Sequence, residues 1–284
     1  MTEAVAPKTV GVIGGGRMGA GIAQVFASLG GAVTIAESGD TAAALQRVSA
    51  GLDRAHERGK LDDQDPATVL ARVSTVDAVT SLPPSLDLIV EAVPEIAALK
   101  VEVLAAAETV AGESTVIASN TSSMSIAELG AALTDPGRFI GMHFFNPVPA
   151  SLLVEIVRAS DPPRGCRLGT SMGVDARQSE VLVNDSPGFA TSRLGVGLGL
   201  EAIRMLEEGV ADAESIDRAM ELGYRHPMGP LRSTDLVGLD VRLAIAEHLA
   251  STLGDRFTPP ALLREKVARG ELGRKTGQGF HTWS

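Results

Sequence analysis

The chain has 284 residues, enough for one large domain or two smaller ones, with 44% hydrophobic and 21% charged residues, the balance of a globular protein. A formal net charge of −10 argues against non-specific nucleic-acid binding, no apolar run approaches the roughly 18 residues that span a membrane, and no metal site is expected. Met1–Lys8 carries Glu3 and no apolar core, unlike a secretory or transit peptide, and the lone Cys166 cannot form an internal disulfide, so a reducing, cytoplasmic setting is expected.

In chain order, apolar runs alternate with helical patterns, the sign of βαβ units and a mostly parallel sheet. Strands are expected at Val10–Gly14, Ala32–Ala36, Leu86–Val93, Val116–Ser119, Phe139–His143, Leu152–Val157 and Val181–Val183. Helices are expected at Met18–Leu29, Thr41–Arg58 and Leu99–Val110. Within Arg164–Ala176 a connecting helix is called for, yet Gly165, Gly169 and Gly173 recur there, each costing about 1 kcal/mol relative to alanine in a helix. Asn184-Asp185-Ser186-Pro187-Gly188 reads as a hinge, because proline and glycine stop strand and helix alike. Beyond it the pattern is helical only: Gly188–Glu208, then Ala213–Leu222 capped by Asp212 and stopped by Gly223, then Leu236–Leu253 ending at Gly254. The reading is therefore an α/β, Rossmann-type dinucleotide-binding domain over residues 1–185 and an all-α domain over 186–284. The apolar surface of the second domain suggests burial against a partner subunit.

Gly14-Gly15-Gly16-Arg17-Met18-Gly19 matches G-x-G-x-x-G, and its setting between a strand run and a helix makes the match strong. Gly14 permits the tight turn, Gly16 lets backbone approach a pyrophosphate, and Gly19 lets helix and strand pack closely. The phosphates then meet a helix N-terminus. Glu37 lies eighteen residues past Gly19, where an acid accepts hydrogen bonds from the adenosine ribose and repels a 2′-phosphate. NAD is the expected cofactor.

Three residues suggest a reacting centre. Ser122 and His143 lie at or beyond the C-terminal ends of strand runs, where open α/β sheets place ligands. Glu155 interrupts an apolar strand, and a buried carboxylate needs a partner, for which His143 is the economical choice. Such a pair suits alcohol oxidation: histidine, with an unperturbed pKa of about 6.5, takes the hydroxyl proton while hydride leaves for the nicotinamide. Separately, each has a plainer reading: His143 as a structural strand-end residue, Ser122 as a helix N-cap, Glu155 on the solvent face of an edge strand.

The chain resembles the 3-hydroxyacyl-CoA dehydrogenase family over nearly its whole length. The resemblance rests on GVIGGGRMGAGIAQ at Gly11, EAVPE at Glu91, SNTSSMSI at Ser119, GMHFFNPVP at Gly141, LVEIV at Leu153, NDSPGF at Asn184, HPMGPLRSTDLVGLD at His226 and GRKTGQGF at Gly273. It implies reversible, NAD-dependent oxidation of a (3S)-3-hydroxyacyl-CoA to the 3-ketoacyl-CoA, and a homodimer formed by the helical domain. By resemblance His143 is the base, Glu155 its partner and Ser122 the ligand of the substrate oxygen. Glu95 and Lys100 match residues around the nicotinamide half of the cofactor. Met18 and Asn120 join the cofactor set, Asn146 the substrate set, and Lys60 is the candidate contact for coenzyme A phosphate. Ser192 stands where the family has asparagine, and is expected to face the cleft beside Ser122 and His143. Ala150-Ser151 replaces the family's methionine and lysine, and Arg164–Ala176 is unlike the family. Competing readings are a dehydrogenase of a free hydroxy acid or a sugar acid such as L-gulonate, and a cofactor-binding protein with little catalysis; the lysine-dependent β-hydroxyacid dehydrogenases fit the His143–Glu155 pairing poorly.

Overall fold

The computed structural model describes residues 6–159 and 178–283, so the Arg164–Ala176 segment lies outside the described residues. The chain divides into two compact units, Met1–Ser186 and Pro187–Ser284.

The first unit is built on a sheet of eight strands among the described residues: β1 (Thr9–Ile13), β2 (Ala32–Ala36), β3 (Val73–Val76), β4 (Leu88–Glu91), β5 (Val116–Ser119), β6 (Phe139–Phe144), β7 (Leu153–Arg158) and β8 (Ser179–Asn184). The spatial order is β3-β2-β1-β4-β5-β6-β7-β8. All neighbouring pairs are parallel except β6–β7, which is antiparallel. Strand order reverses between β1 and β4, the switch point where open sheets leave a crevice at their C-terminal edge. The central strands are apolar because both faces are covered; every residue of β4, β5 and β6 is buried. Helices α1 (Arg17–Ser28), α2 (Thr41–Glu57), α3 (Pro66–Leu70), α4 (Ala97–Val110) and α5 (Ile126–Gly130) complete the unit. Ile22 and Phe26 of α1 and Val48 and Leu52 of α2 are wholly buried in the core with Val12, Ile35 and Val90.

Strand β3 and the short helices α3 and α5 were not expected. Strand β3 has only four residues, two of them polar, and is held by its pairing to β2. The short helix α3 starts at Pro66 with Asp65 accepting from the Thr68 N–H at 2.9 Å. The Leu86–Val93 run is strand only over Leu88–Glu91.

The second unit is helical: α6 (Thr191–Glu207), α7 (Ala213–Gly223), α8 (Pro230–Val237), α9 (Leu239–Leu253) and α10 (Ala261–Ala268). Val196, Leu200, Leu231, Leu249 and Leu263 form its core. Asp212 caps α7, accepting from the Ser215 N–H at 2.8 Å, but Gly223 is the last helical residue rather than the stop. The expected Leu236–Leu253 helix is two helices: Gly238 takes φ +103°, out of reach of ordinary side chains, and the chain turns there between α8 and α9. Asp235, fully buried, accepts from the N–H groups of Phe280 and His281 and from Trp283 Nε1, each at 2.8 Å, which fastens the last described residues to α8.

Candidate active site

The glycine motif forms the turn from β1 into α1. Gly14 has φ +96°, and a Cβ on Gly19 would lie 1.8 Å from the Gly14 carbonyl oxygen, so only glycine lets helix and strand approach this closely. A Cβ on Gly16 would meet nothing within 4 Å: the backbone there faces open space, as an approaching pyrophosphate requires. Glu37 follows β2 and accepts from the Gly15 N–H at 2.7 Å and the Gly39 N–H at 2.8 Å, one through each oxygen. Each oxygen retains a second acceptor site for a ribose hydroxyl. Gly14, Gly16, Met18, Glu37, Asp77 and Val93 line a cavity of about 790 Å³, a fitting size for a nucleotide half.

At the ends of β4 and β5 lies a polar network. Glu91, wholly buried, bonds Lys100 Nζ at 2.7 Å and accepts from Ser119 Oγ. Lys100, 1% exposed, also contacts Glu95 Oε2 at 3.2 Å. Lys100 therefore stands behind the surface, steering Glu95. Glu95 in turn gathers the loop after β5: it accepts from Thr121 Oγ1, from Ser123 Oγ at 2.9 Å and from the Ser122 N–H at 3.2 Å. Burial pushes the Glu95 carboxyl up, but the Thr121 hydroxyl, the Lys100 charge and the Ser123 hydroxyl outweigh it and hold it below the usual value. Ser122 is not a helix cap; that part belongs to Ser125, which accepts from the Glu128 N–H. Asn120 accepts the Phe144 N–H at 2.9 Å, tying this loop to β6 beside His143. Asn146 is exposed in the turn that follows β6.

His143 and Glu155 face each other across the antiparallel β6–β7 pair, with Nδ1 to Oε2 at 2.8 Å. His143 is 6% exposed and Glu155 not at all. Because β7 lies between β6 and β8, Glu155 is not on an edge strand. The Phe145 ring, 4.4 Å from that of His143 between centroids, covers one side of the imidazole.

Lys60 borders a separate cavity of about 340 Å³ with Arg54, Arg58, Pro149, Leu152 and Gln178. Gly59, with φ +63°, folds the chain back at the end of α2 and so sets Lys60 beside the two arginines. Sequence reading missed Arg54 and Arg58, although their four-residue spacing on a helix already puts them on one face. It missed Glu91 too, a carboxylate ending an apolar strand. Ser192 is half-buried in the first turn of α6.

A glycine-rich turn from strand to helix with an acid at the end of the next strand, and a buried histidine–carboxylate pair in the same sheet, suit an NAD-dependent dehydrogenase. Residues 9–164 match the 3-hydroxyacyl-CoA dehydrogenase NAD binding domain and residues 188–283 the 3-hydroxyacyl-CoA dehydrogenase C-terminal domain. The chain belongs to the 3-hydroxyacyl-CoA dehydrogenase family. It is 38% identical over 289 residues to a 3-hydroxybutyryl-CoA dehydrogenase of Mycobacterium tuberculosis, covering 100% of both chains. It is 38% identical over 280 residues to that of Clostridioides difficile, covering 96% of this chain and 98% of the relative. The crystal structure of (S)-3-hydroxybutyryl-CoA dehydrogenase from Ralstonia eutropha is similar at a TM-score of 0.89 and 39% identity, over 98% of this chain and 100% of that one.

Proposed function

We propose that this NAD-dependent 3-hydroxyacyl-CoA dehydrogenase interconverts (3S)-3-hydroxyacyl-CoA and 3-ketoacyl-CoA with His143 as acid–base and Glu155 as its orienting carboxylate. The observation that carries this reading is the buried 2.8 Å contact between them. NAD⁺ held at the glycine turn and Glu37 would supply the acceptor for the hydride of the substrate carbon. His143 donates through Nδ1–H to Glu155 and takes the substrate hydroxyl proton on Nε2; Glu155 stabilises the imidazolium that results. Ser122, set in place by Glu95, hydrogen-bonds the substrate oxygen. Gly14, Gly16, Met18, Gly19 and Glu37 hold the adenosine and pyrophosphate, while Lys100 acts through Glu95. Asn120 acts by positioning the end of β6. Ser192 borders the acyl group, and Asn146 lies on the substrate side.

Arg54, Arg58 and Lys60 form a local cationic site for the phosphates of coenzyme A, which a chain of net charge −10 must supply locally. Exposed Leu194 and Leu198, one turn apart on α6, and exposed Val241 on α9 support a homodimer through the helical unit. Among the described residues no helix is long and apolar enough to cross a membrane.

The test is oxidation of NADH in the presence of acetoacetyl-CoA, alongside thermal protection by coenzyme A. Turnover together with protection supports the reading. No turnover on any 3-ketoacyl-CoA, with turnover on a free hydroxy or sugar acid, would overturn it.

A further inference from the structure

Asp77 follows β3 and lines the same cavity of about 790 Å³ as Gly14, Gly16 and Glu37. Strand pairing fixes its place. Ala36 of β2 is in register with Val76 of β3, and the Glu37 N–H donates to the Val76 carbonyl at 2.9 Å. Asp77 is therefore the neighbour of Glu37 one strand further out, at the usual interstrand spacing of about 4.8 Å. The two acids differ in their ties. Glu37 is bonded to the glycine turn through the Gly15 N–H, whereas the exposed Asp77 carboxylate makes no hydrogen bond or ion pair among the described residues.

The sheet order decides which end of a dinucleotide reaches Asp77. The glycine turn follows β1, Glu37 follows β2 and Asp77 follows β3, while His143 lies in β6, on the other side of the switch point between β1 and β4. The reacting nicotinamide belongs toward β6. The pyrophosphate, ribose and base of the adenosine half then fall in the order β1, β2, β3. The remaining walls at this end are apolar: Val79 of the short turn Val79–Ser81, and Leu99, Val103 and Ala106 of α4. Such walls suit the flat faces of a purine. The charged groups beside them, Asp77 and Glu102, are carboxylates, and an ionised carboxylate only accepts hydrogen bonds. Adenine offers an amino donor at its 6-position, where hypoxanthine carries a carbonyl oxygen.

We propose that Asp77 accepts a hydrogen bond from the 6-amino group of the cofactor's adenine, so that this end of the cavity selects the base as Glu37 selects the ribose. This rests on the reading that Glu37 holds the adenosine ribose. Asp77 has the better claim than Glu102, because strand register sets it directly beside Glu37, while Glu102 stands on α4 across the cavity.

The test measures Kd by isothermal titration calorimetry on the full chain, with NAD⁺ and with nicotinamide hypoxanthine dinucleotide, which differ only in the 6-position of the base and the N1 proton that goes with it. Wild type is expected to bind NAD⁺ about tenfold more tightly, the scale of a hydrogen bond to a charged group. Asp77→Ala should bring the ratio near one. Asp77→Asn, whose amide can donate to the 6-oxo group, should bring it to one or invert it. A wild-type ratio near one overturns the proposal, whether or not the variants fold. Asp77 variants that weaken both dinucleotides equally, with the ratio kept, also overturn it. So does a preference that survives Asp77→Ala and is lost in Glu102→Gln, which would move the role to α4. Glu37→Ser tests the premise separately: it should weaken both dinucleotides and keep their ratio. Unaltered NAD⁺ affinity in that variant would show that the adenosine ribose does not sit at Glu37, a failure distinct from lost base selection.

Discussion

Lys100 and Glu91 form an ion pair sealed from solvent, Nζ to Oε1 at 2.7 Å, with side chains 1% and 0% exposed. Breaking such a pair strands the surviving charge, at a typical cost of about 3–5 kcal/mol. Lys100→Met should therefore lower unfolding free energy by about that amount in a urea titration. Adding Glu91→Gln should restore part of it. If Lys100→Met alone were neutral, Glu91 would not depend on Lys100 for its burial.

Glu95 gives a pH signature. Burial raises its pKa, and the bonds to Thr121, Lys100 and Ser123 bring the folded value below the usual one. A depressed folded value means that the contribution is complete above the unfolded pKa and is lost as pH falls through the folded one. Exchange protection at the Ser122 amide, corrected for intrinsic rate, should thus persist through the ordinary glutamate range and fall only in more acid solution. Glu95→Gln should lack that transition; a transition of the same size in the variant would place its origin elsewhere.

For the His143–Glu155 pair, His143→Ala should abolish most turnover while NADH binding, followed by fluorescence, stays nearly intact. Glu155→Gln should reduce kcat by about 10²–10⁴-fold, the usual reach of acid–base assistance. An unimpaired Glu155→Gln enzyme would refute the assignment.

Glu37 both presents its carboxylate to the cofactor cavity and holds the Gly15 and Gly39 N–H groups. Wild type should strongly prefer NADH to NADPH. Glu37→Ser should narrow the preference, and it should do so mainly by weakening NADH, because the turn loses two hydrogen bonds. Equal use of both cofactors by wild type would contradict this account of Glu37.

Light scattering should give a dimer mass at micromolar concentration. Leu194→Glu with Leu198→Glu should shift it toward monomer, since both side chains are exposed in the isolated chain. A monomeric wild type would remove the helical face from consideration.

The pairing of His143 with Glu155 was legible because a carboxylate inside an apolar strand demands a partner, and few side chains qualify. The same logic applies to Glu91, which was read only as part of a motif. Other features depend on tertiary context. β3 is too short and too polar to stand out in sequence and exists through its pairing to β2. The break at Gly238 is silent in sequence, since a glycine within a helix costs only about 1 kcal/mol and just its backbone angle reveals the turn. Arg54, Arg58 and Lys60 become one site only after Gly59 reverses the chain.

The reversal of β7 has a consequence for folding as well as chemistry. Only one alignment of β6 and β7 sets His143 opposite Glu155. A slip by one residue turns Glu155 to the other face of the sheet. A slip by two sets His143 against Leu153 or Val157 and leaves an ionised group enclosed without a counterpart. The pair thus acts as a key for strand alignment, rejecting misregistered sheets by their electrostatic cost. Substitutions that silence the reaction at either position also relax that proofreading, so inactive variants should refold with more misaligned, aggregation-prone species than the wild type.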